Sequence, residues 1–350
     1  MANGEFMGKQ GEGAGNRKKF RILSLDGGST SGGMVSILLL KEMMDNHPSL
    51  LERADVIVGT SAGAWNALTI AAQPPDQWAK GVERALSALW SNQGTRALTN
   101  PHWLRFVLLS KSLYGDNFRH VLEPLVGAST LGGLSKKVLL TAVGLSGPTL
   151  FNLRNWNSWE HGDRKALDVA LASSAAPLLA PIHDGSADGG LLRNNPSAMA
   201  LVYLWQLHRK HPDEIPEPED FVLLSIGNGL VPAGQVVGDH DWGWLQWLRR
   251  LRLVHFLYDL NIYPSTEDGM ELMKALHPET RSEDLPYLRV NPQAGVNLLE
   301  WVMMYGLNFP SFMNRHLQRD AKAYVQGLPG TQGESTRSWQ GVLEWLRDHW

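Results

Sequence analysis

A serine set among small residues, in Gly59-Thr60-Ser61-Ala62-Gly63, is the clearest nucleophile this 350-residue chain offers. A serine hydroxyl reacts only when a neighbouring base takes its proton and fixed donors hold the charge that develops on the attacked carbonyl. The flanks predict such a setting. Ala54–Val58 is an apolar run that reads as a strand, and Ala64–Ala72 reads as a helix. Strand, sharp turn and helix around G-x-S-x-G make a nucleophile elbow. Gly59 and Gly63 let the backbone bend there, and the helix start points its N-terminal amides at any developing oxyanion.

Two further loops carry matching chemistry. Asp26-Gly27-Gly28-Ser29-Thr30-Ser31-Gly32-Gly33 follows the β-prone run Phe20–Leu25 and opens a helix. Successive amides in such a loop can converge on an anion. A phosphate loop is the other reading, although the Gly-Lys-Ser/Thr ending and G-x-G-x-x-G are both absent. The second loop is Asp188-Gly189-Gly190, which alone reads as a turn. A serine nucleophile needs a base, and Asp188 is one candidate. A histidine is the alternative, with His183, His240 and His255 lying downstream in α/β-hydrolase order. No H-E-x-x-H spacing occurs, so no catalytic metal is expected, and no motif calls for a cofactor.

Taken together, these residues resemble the patatin-like phospholipases, whose signature is Asp-Gly-Gly-Gly-x-Arg-Gly, then Gly-x-Ser-x-Gly, then Asp-Gly-Gly or Asp-Gly-Ala. Here the order is Asp26–Gly32, Gly59–Gly63 and Asp188–Gly190. Ser24-Leu25-Asp26, Ser173-Ser174-Ala175-Ala176-Pro177, Asn194-Asn195-Pro196 and Ser225-Ile226-Gly227-Asn228-Gly229 are similar to the family as well. The resemblance spans about residues 20–230 and implies a Ser61–Asp188 dyad. It further implies an oxyanion hole of Gly27, Gly28, Ser29 and Ala62, with Gly59, Gly63, Gly189 and Gly190 as motif glycines. The implied activity is lipid acyl hydrolysis of the phospholipase A or lysophospholipase type. A neutral-ester lipase or carboxylesterase is the alternative, as is a lipid-binding protein with a degenerate site. Ser29 and Ser31 replace the usual third Gly and the Arg. Arg193 is the candidate for the missing cation.

The elements that must hold these loops read as α/β. Phe20–Leu25, Val56–Val58, Lys137–Val143, Thr149–Leu153, Phe221–Ile226 and a late edge strand, Tyr287–Val290, alternate with helical stretches. Those are Met34–Asn46, Gln77–Trp90, Asp116–Leu125, Lys165–Ser173 and Asn195–His211; Asn92–Ser112 is left open. The fold expected is a three-layer α/β/α sandwich with a mainly parallel sheet. Its division is a tail over 1–19, a catalytic core over 20–230 and a mostly helical region over 231–350 packed on that core.

Composition narrows the rest. The net charge of −3 gives no general case for nucleic acid, and the absence of cysteine excludes disulfides and thiolate sites. The tail has no apolar h-region, so no signal peptide is expected, and no run suits a spanning helix. The expectation is a cytoplasmic protein acting on phospholipid or another acyl ester, in peripheral contact with membrane. Trp242–Leu260 puts Trp and Leu at helical spacing beside Arg249, Arg250 and Arg252. It reads either as a core helix or as an interfacial one. Among the fourteen tryptophans, Trp339, Trp345 and Trp350 read as packing residues. Nothing in the sequence specifies the oligomeric state.

Overall fold

Continuous apolar runs become the strands of one sheet in the computed structural model, which describes residues 18–28, 33–146, 149–154, 161–229, 268–292, 310–329 and 337–350. In chain order the strands are β1 (Phe20–Leu25), β2 (Val56–Thr60), β3 (Val138–Gly144), β4 (Thr149–Arg154), β5 (Ser186–Asp188), β6 (Phe221–Ile226) and β7 (Tyr287–Val290). They lie in the order β4-β3-β2-β1-β6-β7, with β5 also paired to β3. The pairs from β3 through β2, β1 and β6 to β7 are parallel, while β4 and β5 run antiparallel to β3.

Both faces of the sheet are covered, which is why the central strands β2, β3 and β6 are largely apolar rather than alternating. Leu23 and Leu25 of β1 face one core, formed with helices Gly33–Asn46, Ala62–Ala71 and Ala166–Ser173. Phe20 and Ile22, pointing the other way, face a second core with helix Ser197–Lys210 and the helix over 268–276. The result is the three-layer arrangement expected. Chain order reverses on either side of β1, whose neighbours are β2 and β6. In such sheets the crevice beyond the carboxyl ends of the strands at that switch is where ligands bind. Asp26, Ser61 and Gly227 each follow directly on one of those three strands.

Some elements depart from the sequence reading. Gln77–Trp90 is not one α-helix; a 3₁₀ turn, Pro75–Gln77, leads into an α-helix, Trp78–Arg84, and then a π-turn, Ala85–Leu89. Pro75 sets the first turn. A Cβ at Gly81 would lie 2.6 Å from Ile70 Cα, so Gly81 is what permits close crossing of Ala62–Ala71. Asn92–Ser112 resolves into two short helices, Asn92–Leu98 and Trp103–Leu109. Ser91 caps the first by accepting from Gly94 N at 3.1 Å, and Ser110, with φ of 48°, ends the second.

The late sequence is tied into the same body. β7 is the edge strand expected, and helix Pro310–Val325 packs on Gly33–Asn46. Trp345 and Trp350 are buried in the first core, donating from their indoles to the carbonyls of Leu285 and Leu50. Trp339 is buried too, against Tyr324. Trp242–Leu260 and residues 1–17 lie outside the described residues. No described helix is long and apolar enough to cross a membrane.

Candidate active site

Ser61 stands at the end of β2 with φ of 51° and ψ of −117°, a conformation that a residue bearing a Cβ rarely adopts. Strain of this kind persists only where the surroundings impose it, and here they do. Ser61 N–H donates to Ser173 Oγ at 3.0 Å, and Ser61 O accepts from Trp65 N at 3.1 Å. All ten residues of the following helix, Ala62–Ala71, are buried. Its Trp65 donates to Ser174 Oγ at 3.0 Å and meets the rings of Trp90 and Phe118.

The two elbow glycines are there for close approach. A Cβ on Gly63 would sit 2.2 Å from Leu25 O, and one on Gly59 would sit 2.7 Å from Gly63 O. Neither could be accommodated without moving backbone. The elbow is thereby pressed against the end of β1, where the Asp26 loop begins.

Asp188 reaches Ser61 through the register of the sheet. β2 pairs with β3 as far as Thr60 opposite Thr141. β5 takes over the same edge of β3 at the next residue, with Asp188 opposite Ala142. Two strands distant in sequence therefore end on adjacent residues of a third. Ser61 Oγ donates to Asp188 Oδ2 at 2.9 Å, and both residues are buried, 8% and 2% exposed. The other carboxylate oxygen accepts from Gly190 N at 2.7 Å, which fixes the carboxylate plane. Gly189 has to be glycine because a Cβ would lie 2.1 Å from Thr141 Oγ1. A hydroxyl bonded directly to a buried carboxylate is the geometry of a nucleophile and its general base. Of the histidine alternatives, His183 is engaged with Asp168 at 3.1 Å, and His240 and His255 lie outside the described residues.

The Asp26 loop is held from three sides. Arg289, on β7, makes a two-pronged ion pair with Asp26, at 2.9 and 2.6 Å, and also donates to Ser225 Oγ at 2.9 Å. Ser225 in turn joins Ser197 and Ser24 through hydroxyls 2.9 and 3.0 Å apart. Asn228 donates from its side chain to Asp26 O. Asn194 brackets Gly27, its carbonyl accepting Gly27 N–H and its amide donating to Gly27 O, each at 2.8 Å. The Gly27 amide is therefore committed elsewhere, unlike the oxyanion role expected of it. The amides of Gly28 and Ala62 donate to no acceptor among the described residues. Ser29 lies outside them.

The cation beside this loop is Arg289, not Arg193. Arg193 lies on the surface, 3.9 Å from Asp268. Arg289 and Asp26 are 263 residues apart, and no local pattern links them. Ser173, Asn194 and Asn228 stood in recognisable flanks, but their work as braces is visible only in three dimensions. Among the described residues no group of His, Asp and Glu is arranged to hold a metal.

Comparison with known proteins adds a family match. The family described as "Patatin-like phospholipase" matches residues 23–201. A "cGAMP-activated phospholipase" of Escherichia coli (strain TW11681) is 30% identical over 235 residues, covering 61% of this chain and 63% of that one. Another of that name from Pseudomonas aeruginosa (strain BWHPSA011 / Pa011) is 32% identical over 226 residues, covering 61% and 64%. "Patatin-like protein 2" of Arabidopsis thaliana is 24% identical over 263 residues, covering 65% of each chain. The match thus spans less than two thirds of the length of each of these relatives.

Proposed function

This chain belongs to the patatin-like phospholipase family, and from that premise we propose that it hydrolyses lipid acyl esters through an acyl-Ser61 intermediate, with Asp188 as general base. One observation carries the reading: Ser61 Oγ donates directly to Asp188 Oδ2 at 2.9 Å from a strained elbow.

The steps follow from the atoms present. Ser61 Oγ attacks the ester carbonyl carbon while Asp188 Oδ2 takes its proton. In this proposal the carbonyl oxygen becomes an oxyanion held by the amides of Gly28, Ser29 and Ala62. Each such donor is worth about 2.7–4 kcal/mol in the transition state. Collapse breaks the ester C–O bond, and the Asp188 proton goes to the departing alkoxide. A water molecule then gives its proton to Asp188 and attacks the acyl carbon; collapse breaks the acyl C–Oγ bond, the Asp188 proton returns to Ser61 Oγ, and the fatty acid is released. An aspartate is a weak base, so burial and direct contact with the hydroxyl are what make it adequate.

Fatty-acid release from phospholipid vesicles, beside a neutral triacylglycerol emulsion, tests the proposal. The relatives named as cGAMP-activated make it sensible to run each assay with and without that nucleotide. Release from phospholipid under either condition is expected, and Ser61→Ala is expected to lower kcat by about 10⁶. Equal turnover by Ser61→Ala would overturn the proposal, and release from triacylglycerol alone would move it to the neutral-ester reading.

A further inference from the structure

Helix Trp103–Leu109 has its apolar side turned outward. Of twelve large apolar residues exposed among the described ones, five lie on these seven positions. Leu104, Val107, Leu108 and Leu109 are 77%, 69%, 72% and 63% exposed, and Trp103 is 47%. Residues 103, 104, 107 and 108 fall on one face of a helix. Phe106, on the opposite side, packs on the first core and holds the helix down. Soluble proteins rarely expose a contiguous face of this kind without a partner for it.

The charge along this stretch of chain is one-sided. No Asp or Glu occurs between Glu83 and Asp116, whereas Arg105 and Lys111 lie on or beside the helix and are exposed. The helix is also tied to the catalytic neighbourhood. The chain leaving it donates from Leu113 N and Tyr114 N to the carbonyls of Leu178 and Leu179, each at 2.8 Å. A few residues earlier, Ala175 O accepts from Asp188 N at 3.1 Å. Leu178 and Ile182, on that segment, are exposed as well.

We infer that Trp103–Leu109 is a docking surface for an anionic phospholipid bilayer. The apolar face enters the headgroup–acyl boundary, Trp103 sits at the wet edge, and Arg105 and Lys111 meet lipid phosphates. The inference rests on the lipid-ester reading above, and it assigns membrane contact to a place other than Trp242–Leu260.

Co-sedimentation of the full chain, carrying Ser61→Ala so that the lipid survives, tests this with vesicles of phosphatidylglycerol and phosphatidylcholine. Strong binding to mixed vesicles, weaker to pure phosphatidylcholine, is expected. Adding Leu104→Asp and Leu108→Asp should lower binding by about tenfold or more. Arg105→Glu with Lys111→Glu should reduce binding to mixed vesicles by a similar factor, since each cation near the surface is worth about 1 kcal/mol. In the chain with native Ser61, all four substitutions should leave hydrolysis of a short-chain soluble ester unchanged. Soluble-ester hydrolysis lost in the native chain would strike the catalytic reading, while vesicle binding would still be read. Undiminished vesicle binding by both double variants would overturn the inference. So would light scattering showing a dimer that the leucine substitutions dissociate.

Discussion

At the scale of residues, what separates this site from an ordinary glycine-rich turn is that every close approach is matched by a missing side chain and every buried charge by a partner. Asp26 is the sharpest case, 2% exposed and paired with an equally enclosed Arg289. Removing one member of a buried pair leaves the other uncompensated. Arg289→Met is accordingly expected to lower stability by about 3–5 kcal/mol, and Asp26→Asn in the same chain to restore part of it. Chemical denaturation of the two variants checks this; a double variant less stable than the single one would show that the pair is not the cause. Ser61 stood out in sequence because its motif lies between a strand and a helix, whereas Asp188-Gly189-Gly190 alone reads as a turn and was singled out as the base only through the family resemblance. Arg289 was not legible, since a lone arginine in a late apolar run carries no mark of a partner on the first strand. The bond from Gly27 to Asn194 was not legible for a related reason. A motif shows which amides are close together, but not that Asn194 already takes one of them.

At the scale of elements, most strands were readable as apolar runs, Tyr287–Val290 among them as a late edge strand, whereas the three-residue β5 carries no such run. The breaks within helices were not readable, because they depend on which neighbour crosses where, as Gly81 shows against Ile70. Packing between elements also leaves a titration signature. Lys136, just before β3, lies 4.0 Å from the Trp78 ring centroid and donates to Glu52 O at 3.3 Å. Burial pulls its ammonium from the usual 10.5 down to about 8. Between those values the unfolded chain holds a proton that the folded chain has released, so stability rises with pH across that window. Lys136→Met should flatten the rise, measured as the urea midpoint from pH about 8 to 10.5 relative to the native chain. Identical slopes would assign the pH dependence to other groups.

At the scale of the whole molecule, the candidate active site is an assembly point for segments spread over the chain. β1 leads into the Asp26 loop, β2 into Ser61, β5 ends on Asp188, β6 leads to the Asn228 brace and β7 carries Arg289. The region beyond residue 230 therefore reaches the Asp26 loop through the Arg289 ion pair. Its buried Trp345 and Trp350 fasten that region to Leu285 and Leu50. The account as a whole stands on the carboxylate acting as base without an imidazole. The most direct measurement is the initial rate of fatty-acid release by Asp188→Asn and His183→Ala beside the native chain. Asparagine keeps the size of the side chain but cannot take the proton, so Asp188→Asn should lose about 10⁴ in kcat or more. His183→Ala should run at the native rate. Near-native turnover by Asp188→Asn, with His183→Ala silent, would contradict the account.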